Sequence, residues 1–263
     1  MDLKLQKKLA LVTGSTAGIG NAVAATLARE GATVIVSGRT PAAVAGAVAK
    51  IKSETGGEVL GFAGDLSLAP VAEALVHQHP KVDILVNNLG IFEVKAFADI
   101  SDADWRRFFD VNVLSGARLA RLYLPHMRAE NWGRIIFISS ESALQIPKEM
   151  IHYGMTKAAQ IAVARGLAEL TAGTGITVNS VLPGPTRSRG VGDFVAAIAA
   201  AGGKTPQAVE EEFFATARPT SLLKRFATPE EVAAFVTYVA SPVSSATNGA
   251  ALRVDGGVVL SAF

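Results

Sequence analysis

Short apolar runs rich in β-branched residues alternate along this chain with longer stretches of helical pattern. The runs are Leu9–Val12, Thr33–Val36, Val59–Ala63, Ile84–Val86, Arg134–Ser139, Thr177–Val181 and Ala251–Val254. They carry no regular polar face, as parallel strands covered on both sides should not. Between them lie Gly18–Glu30, Pro41–Glu54, Pro70–His79, Asp102–Arg128, His152–Thr171 and Pro229–Ala240. The last opens on Thr228-Pro229-Glu230-Glu231, a cap followed by an N1 proline. Strand–helix alternation of this kind builds right-handed βαβ units. The expected fold is therefore α/β: a single doubly wound parallel sheet (a Rossmann fold) with helices on both faces.

A length of 263 residues suits one large domain of this kind, here spanning 1–263, and 49% hydrophobic residues supply its core. The formal net charge of +2 argues against a nucleic-acid partner. Cysteine is absent, which excludes disulfides, thiolate metal sites and cysteine nucleophiles and fits a reducing, cytoplasmic location. The start, MDLKLQKKLALVTG, lacks the apolar region of a signal peptide. No segment approaches the ~20 apolar residues of a membrane span. His77 and His79 read as a solvated helix end rather than a zinc site, so no metal is expected.

The alternation breaks once, from Pro183 to about Arg225, where short helical pieces such as Phe194–Ala201 and Pro206–Ala217 replace the strand. An insertion at a strand's carboxyl end lies where such sheets bind ligands, and it is expected to form a lid over the substrate. Within it, Arg187 and Arg189 could meet a cofactor phosphate or an acidic substrate. Phe194, Val195 and Ile198 could wall the substrate or anchor the lid.

The first strand runs into Thr13-Gly14-Ser15-Thr16-Ala17-Gly18-Ile19-Gly20 and then a helix. Glycines at this junction allow a tight turn and close approach of a ligand to the backbone. Free N–H groups at the helix start, together with its dipole, favour a pyrophosphate. Dinucleotide sites often place an acid at the end of the second strand to hold the ribose 2′-hydroxyl. Here that strand ends Val36-Ser37-Gly38-Arg39. A guanidinium in place of the acid suits a 2′-phosphate, so NADP is expected over NAD.

Tyr153 and Lys157 are four residues apart and share one helix face, with Ser140 thirteen residues before the tyrosine. A nearby cation favours phenolate, so the tyrosine pKa is expected to fall from about 10. A phenol so poised can give a proton to a carbonyl oxygen or take one from an alcohol.

Together these motifs resemble the short-chain dehydrogenase/reductase (SDR) family. The likeness spans essentially the whole chain: Thr13-Gly14-x-x-x-Gly18-x-Gly20, Asp65-Leu66, Asn87-Asn88-Leu89-Gly90, Asn112, Ser140, Tyr153-x-x-x-Lys157, Pro183-Gly184 and Asp255-Gly256-Gly257. The resemblance implies seven strands, a homotetramer or homodimer, and contact surfaces around 102–128 and 152–171. It implies catalytic roles for Asn112, Ser140, Tyr153 and Lys157. Tyr153 would be the acid/base, Lys157 would lower its pKa and hold the nicotinamide ribose, and Ser140 would bind the substrate oxygen. Asn112 would hold a water that links Lys157 to solvent. Cofactor contacts would come from Gly14, Ser15, Gly18, Ile19, Gly20, Arg39, Asp65, Leu66, Asn87, Gly90, Tyr153, Lys157, Pro183, Gly184, Thr186 and Ser188. Ser139 rivals Ser140, but strand alternation sends the two to opposite faces.

The chain departs from the family pattern twice. Leu89 stands where alanine is usual, and a larger side chain there must find space. Glu141 follows the catalytic serine; it is expected to point into solvent, with binding of a polar substrate as the alternative. The expected function is reversible hydride transfer between NADP(H) and a small carbonyl/alcohol substrate. The alternatives left open are an NAD-dependent alcohol dehydrogenase, a non-redox lyase or epimerase, and an NADP-sensing protein.

Overall fold

A computed structural model describes residues 2–188, 191–192, 195–196, 199 and 202–262. Arg189, Phe194 and Ile198 fall outside the described residues, as does part of the helical piece expected over 194–201.

The strands are β1 (Leu9–Val12), β2 (Thr33–Gly38), β3 (Val59–Ala63), β4 (Ile84–Asn87), β5 (Gly133–Ile138), β6 (Ile176–Pro183) and β7 (Ala251–Val254). They form one seven-stranded sheet in the order β3-β2-β1-β4-β5-β6-β7. Every pairing is parallel. The order reverses between β1 and β4, and such a switch point opens a crevice at the carboxyl ends of the strands.

Alternation along each strand feeds two cores. Ala10, Val12, Val34, Val36, Ile84 and Val86 face one layer, which α1 (Gly18–Arg29) and a late helix over Pro229–Ala240 cover. Leu11, Ile35, Leu85, Ile135 and Phe137 face the other. That side is closed by α3 (Ala69–Gln78), α5 (Ser115–Ala129) and α6 (Ile151–Glu169). Fully burying one such aliphatic side chain contributes roughly 1.5–3 kcal/mol, so the sheet is fixed by side chains that lie on both of its faces.

Local chemistry sets the helix starts. Thr40 accepts from Ala43 N at the head of α2 (Pro41–Thr55). Ser101 and Asp104 form a capping box on α4 (Asp102–Phe109). Thr205 caps α7 (Pro206–Thr216), and Thr228 with Glu231 caps α8 (Pro229–Ala240).

The single helix expected over 102–128 is interrupted. α4 gives way to a π-helical turn, Asp110–Leu114, before α5 begins. There Ser115 N donates to Asp110 O, one residue further back than an α-helix allows. Among the described residues, no helix is long and apolar enough to cross a membrane, and no cluster of three or more His, Cys, Asp or Glu could hold a metal.

Beyond β6 the chain builds a small core of its own. Val195, Ala199, Val209, Phe214 and Phe226 are buried together, and the Phe213 and Phe226 rings stack at 5.1 Å. Val195 thus anchors this segment rather than walling a substrate. Arg187 pairs with Glu210 on α7, and Glu210 also accepts from Phe226 N at 2.9 Å.

Candidate active site

The turn after β1 carries Gly14 at φ 61° and Gly18 at φ 59°, left-handed values that favour glycine. A Cβ at Gly20 would stand 2.7 Å from Gly14 O and 2.4 Å from Asn88 Nδ2. A Cβ at Gly18 would stand 3.3 Å from Ser188 Cβ, which puts the strand-β6 strap directly over the turn. α1 then begins with no side-chain cap and no acid in its first turn. Its N–H groups and dipole are left for an anion. Beside it lies a cleft of about 100 Å³ bordered by Gly14, Gly38, Arg39, Asp65, Leu66 and Leu89. Arg39 is exposed. This donor set and backbone cradle fit a nicotinamide dinucleotide.

The expected cofactor contacts divide. Gly14, Gly18, Gly20, Arg39, Asp65 and Leu66 surround the turn and cleft, with Ile19 in the uncapped first turn of α1. Asp65 is braced by Ser67, whose N and Oγ donate to its Oδ1 at 3.0 and 2.6 Å. Ser15 faces inward. Its Oγ donates to Val12 O at 2.6 Å and accepts from Ser37 N at 2.9 Å, and its N–H donates to Ser37 O. It shapes the turn and has no donor left for a ligand. The Asn87 side chain is buried beside Gly116 of α5, and among the described residues its amide atoms have no hydrogen-bond partner. Gly184 ends β6 after Pro183, so close to Asp255 that a Cβ would lie 2.4 Å from Asp255 O. Thr186 Oγ1 donates to Gly184 O at 2.9 Å. Leu89 finds room at the cleft edge, where its N–H donates to Thr13 Oγ1 at 2.9 Å without distorting the turn.

The catalytic candidates meet at the carboxyl edge of β5. Ser140 and Tyr153 are near enough that the serine hydroxyl exerts a lowering pull on the Tyr153 pKa. Gly154 lets α6 press against the 141–146 loop: a Cβ there would lie 2.9 Å from Ser142 O. Ser139 points the other way, donating to Lys157 O at 2.8 Å, as alternation requires. Lys157 Nζ stands 5.6 Å from the Tyr153 ring centre, donating to Ile138 O at 2.9 Å and Gln160 Oε1 at 3.2 Å. Gly90 borders them, since a Cβ there would be 3.5 Å from both Lys157 Nζ and Asn112 Oδ1.

Asn112 sits in the π-turn. Its side chain clamps the Ile91 backbone in both directions, at 2.8 and 3.0 Å, and donates to Thr156 Oγ1 at 3.0 Å. Its backbone carbonyl oxygen accepts from Gln160 Nε2 at 2.6 Å. Asn112 and Lys157 are therefore linked through Gln160, a residue the sequence reading missed. Its signal was the i+3 spacing from Lys157 on an inward helix face.

Two expectations need correction. The Tyr153 phenol is not lowered: burial, then the Glu141 carboxylate, push its pKa above the ordinary value, against a smaller opposing pull from Ser140 and Arg218. Burial also pushes the Lys157 ammonium down to about 7, which removes much of the cation that was to favour phenolate. Glu141, in turn, is not in solvent. It is 4% exposed and accepts from both the Ser140 hydroxyl and Arg218 Nε, the latter at 3.2 Å. Arg218, itself 8% exposed, donates through Nη1 to Glu149 Oε1 at 3.4 Å and Ala217 O at 2.8 Å. The pair spans 77 residues and carries no sequence signal.

Residues 8–198 match the short chain dehydrogenase family. The chain belongs to that family. It is 48% identical to the uncharacterized oxidoreductase YvaG of Bacillus subtilis over the full length of both. It is 32% identical to the 3-oxoacyl-[acyl-carrier-protein] reductase FabG of Aquifex aeolicus, over 98% of this chain and all of the other. Among solved structures, L-sorbose reductase from Gluconobacter frateurii, complexed with NADPH and L-sorbose, superposes with a TM-score of 0.93. That match has 30% identity over 99% of this chain and all of the other. The protein is thus an SDR oxidoreductase with a Rossmann-type fold.

Proposed function

We propose that the protein reduces a small carbonyl compound with NADPH, and oxidises the matching alcohol in reverse. One observation carries this reading: Ser140, Tyr153 and Lys157 converge at the carboxyl edge of β5, near a glycine cradle built for a dinucleotide. The nicotinamide supplies or accepts the hydride when bound.

The chain's own groups handle the proton. Tyr153 is held protonated near neutral pH by burial and by Glu141, so it stands ready as an acid toward a carbonyl oxygen. Ser140 steadies that oxygen. Lys157 stands beside the tyrosine ring and is the group that can return a proton to it, while Gln160, which accepts from Lys157 and donates to the Asn112 backbone carbonyl, holds the lysine in place. The NADPH-bound neighbour and the exposed Arg39, which forms no ion pair among the described residues, support NADP over NAD. The segment 183–225 acts as the substrate lid, and the faces of α5 and α6 serve assembly into a homodimer or homotetramer.

Titration with NADPH and NADH, followed by a ketone panel read at the nicotinamide absorbance, tests the reading. NADPH is expected to bind at least tenfold more tightly and to be consumed with carbonyl present. Failure to bind either nucleotide would overturn it.

A further inference from the structure

In the ligand-free protein the Ser140 proton is already engaged. Ser140 has one hydroxyl hydrogen, and it points at Glu141 Oε2. A lone pair of its oxygen accepts from Ser142 N at 3.1 Å. Arg218 holds Glu141 in that position from the far side, at 3.2 Å, and is itself held by Glu149. A plain ketone entering this site meets a serine whose donor is committed to a buried carboxylate. To bind the ketone oxygen, Ser140 must break a charge-assisted bond and leave the carboxylate short of a partner.

Glu141 has capacity to spare. An ionised carboxylate offers about four acceptor positions, and among the described residues it receives only Ser140 and Arg218. A hydroxyl on the carbon next to the substrate carbonyl can donate to Glu141 in place of Ser140. The Ser140 proton is then released to the carbonyl oxygen without exposing an unsatisfied charge.

We infer that the Glu141–Arg218 pair determines specificity, selecting an uncharged carbonyl compound that bears a hydroxyl beside its carbonyl group, with that hydroxyl bound by Glu141. This rests on the hydride-transfer reading above. Charge argues the same way. Two carboxylates share the Arg218 guanidinium and Lys157 is engaged by Ile138 O and Gln160 Oε1, which disfavours a substrate carboxylate; Lys148, on the rim of the cleft that Arg218 borders, is exposed and screened by solvent. That cleft, about 510 Å³, is bordered by Gln145, Glu149 and Arg218.

The test compares acetone with hydroxyacetone, using NADPH and the whole protein. On the wild type, kcat/KM for hydroxyacetone is expected to exceed that for acetone by roughly 10–100-fold, as for a hydrogen bond to a charged group. In Glu141→Gln the ratio is expected to shrink at least tenfold, because hydroxyacetone exchanges a charged acceptor for a neutral amide oxygen while acetone no longer competes with a carboxylate. Damage to the fold would slow both ketones alike and leave the ratio unchanged. Equal use of the two ketones by the wild type overturns the inference while hydride transfer stands. An unchanged ratio in Glu141→Gln protein whose circular dichroism and NADPH binding match the wild type also overturns it. Should neither ketone, nor any of the wider panel, consume NADPH, the hydride-transfer reading itself fails and the inference falls with it.

Discussion

The two halves of the site are built from opposite materials. The nucleotide side is backbone: Gly14 and Gly18 in left-handed conformations, an uncapped helix start and one exposed arginine. The substrate side is buried charge: Lys157, Glu141 and Arg218, each more than nine-tenths hidden from solvent. A pyrophosphate is alike in every dinucleotide, so a fixed array of N–H groups serves it. Proton transfer needs groups whose charge can be tuned, and burial is what tunes them.

This contrast makes stability strongly pH-dependent through the substrate side. Lys157 has a folded pKa of about 7 against 10.5 in the unfolded chain. Between those values the unfolded state binds more protons, so stability rises with pH across that window and is lost as pH falls toward 7. At about 1.4 kcal/mol per unit the gain is several kcal/mol. Chemical denaturation between pH 7 and 10 is expected to show this slope, and Lys157→Met to flatten it.

Next in size is the ion pair beneath the serine. Arg218→Met leaves Glu141 buried with no cation and is expected to destabilise the protein by about 3 kcal/mol, read in urea. The double change Glu141→Leu with Arg218→Met should recover most of that loss.

The nucleotide side should behave differently. Arg39→Ala is expected to leave the denaturation midpoint unmoved, because the side chain is exposed and forms no ion pair among the described residues. It should weaken NADPH binding by roughly 10-fold, one charge-assisted contact, with NADH scarcely affected. The smallest change is expected at Arg187, whose pair with Glu210 is half exposed. Arg187→Ala should alter stability by under about 1 kcal/mol.

The same contrast governs how much could be read from sequence. The strands, the glycine turn, the Thr228–Glu231 cap and the Tyr153–Lys157 face are local patterns, fixed by residues a few positions apart. The π-turn at Asp110–Leu114 was invisible because its residues suit an ordinary helix; it forms where Asn112 grips the Ile91 backbone. The inward turn of Ser15 depends on Ser37 in the neighbouring strand. Glu141 looked like a surface residue because its partner, Arg218, arrives from the far side of the chain. The rise in the Tyr153 pKa comes from burial and then from the inward-turned Glu141 carboxylate, neither of which spacing encodes.

The most direct measurement is the single-turnover reduction of a ketone substrate by NADPH-saturated wild type and Tyr153→Phe. The variant should bind NADPH as tightly as wild type, yet consume it roughly 10²-fold more slowly, the usual contribution of a general acid. Equal rates in the two proteins would show that the phenol at the edge of β5 does not deliver the proton.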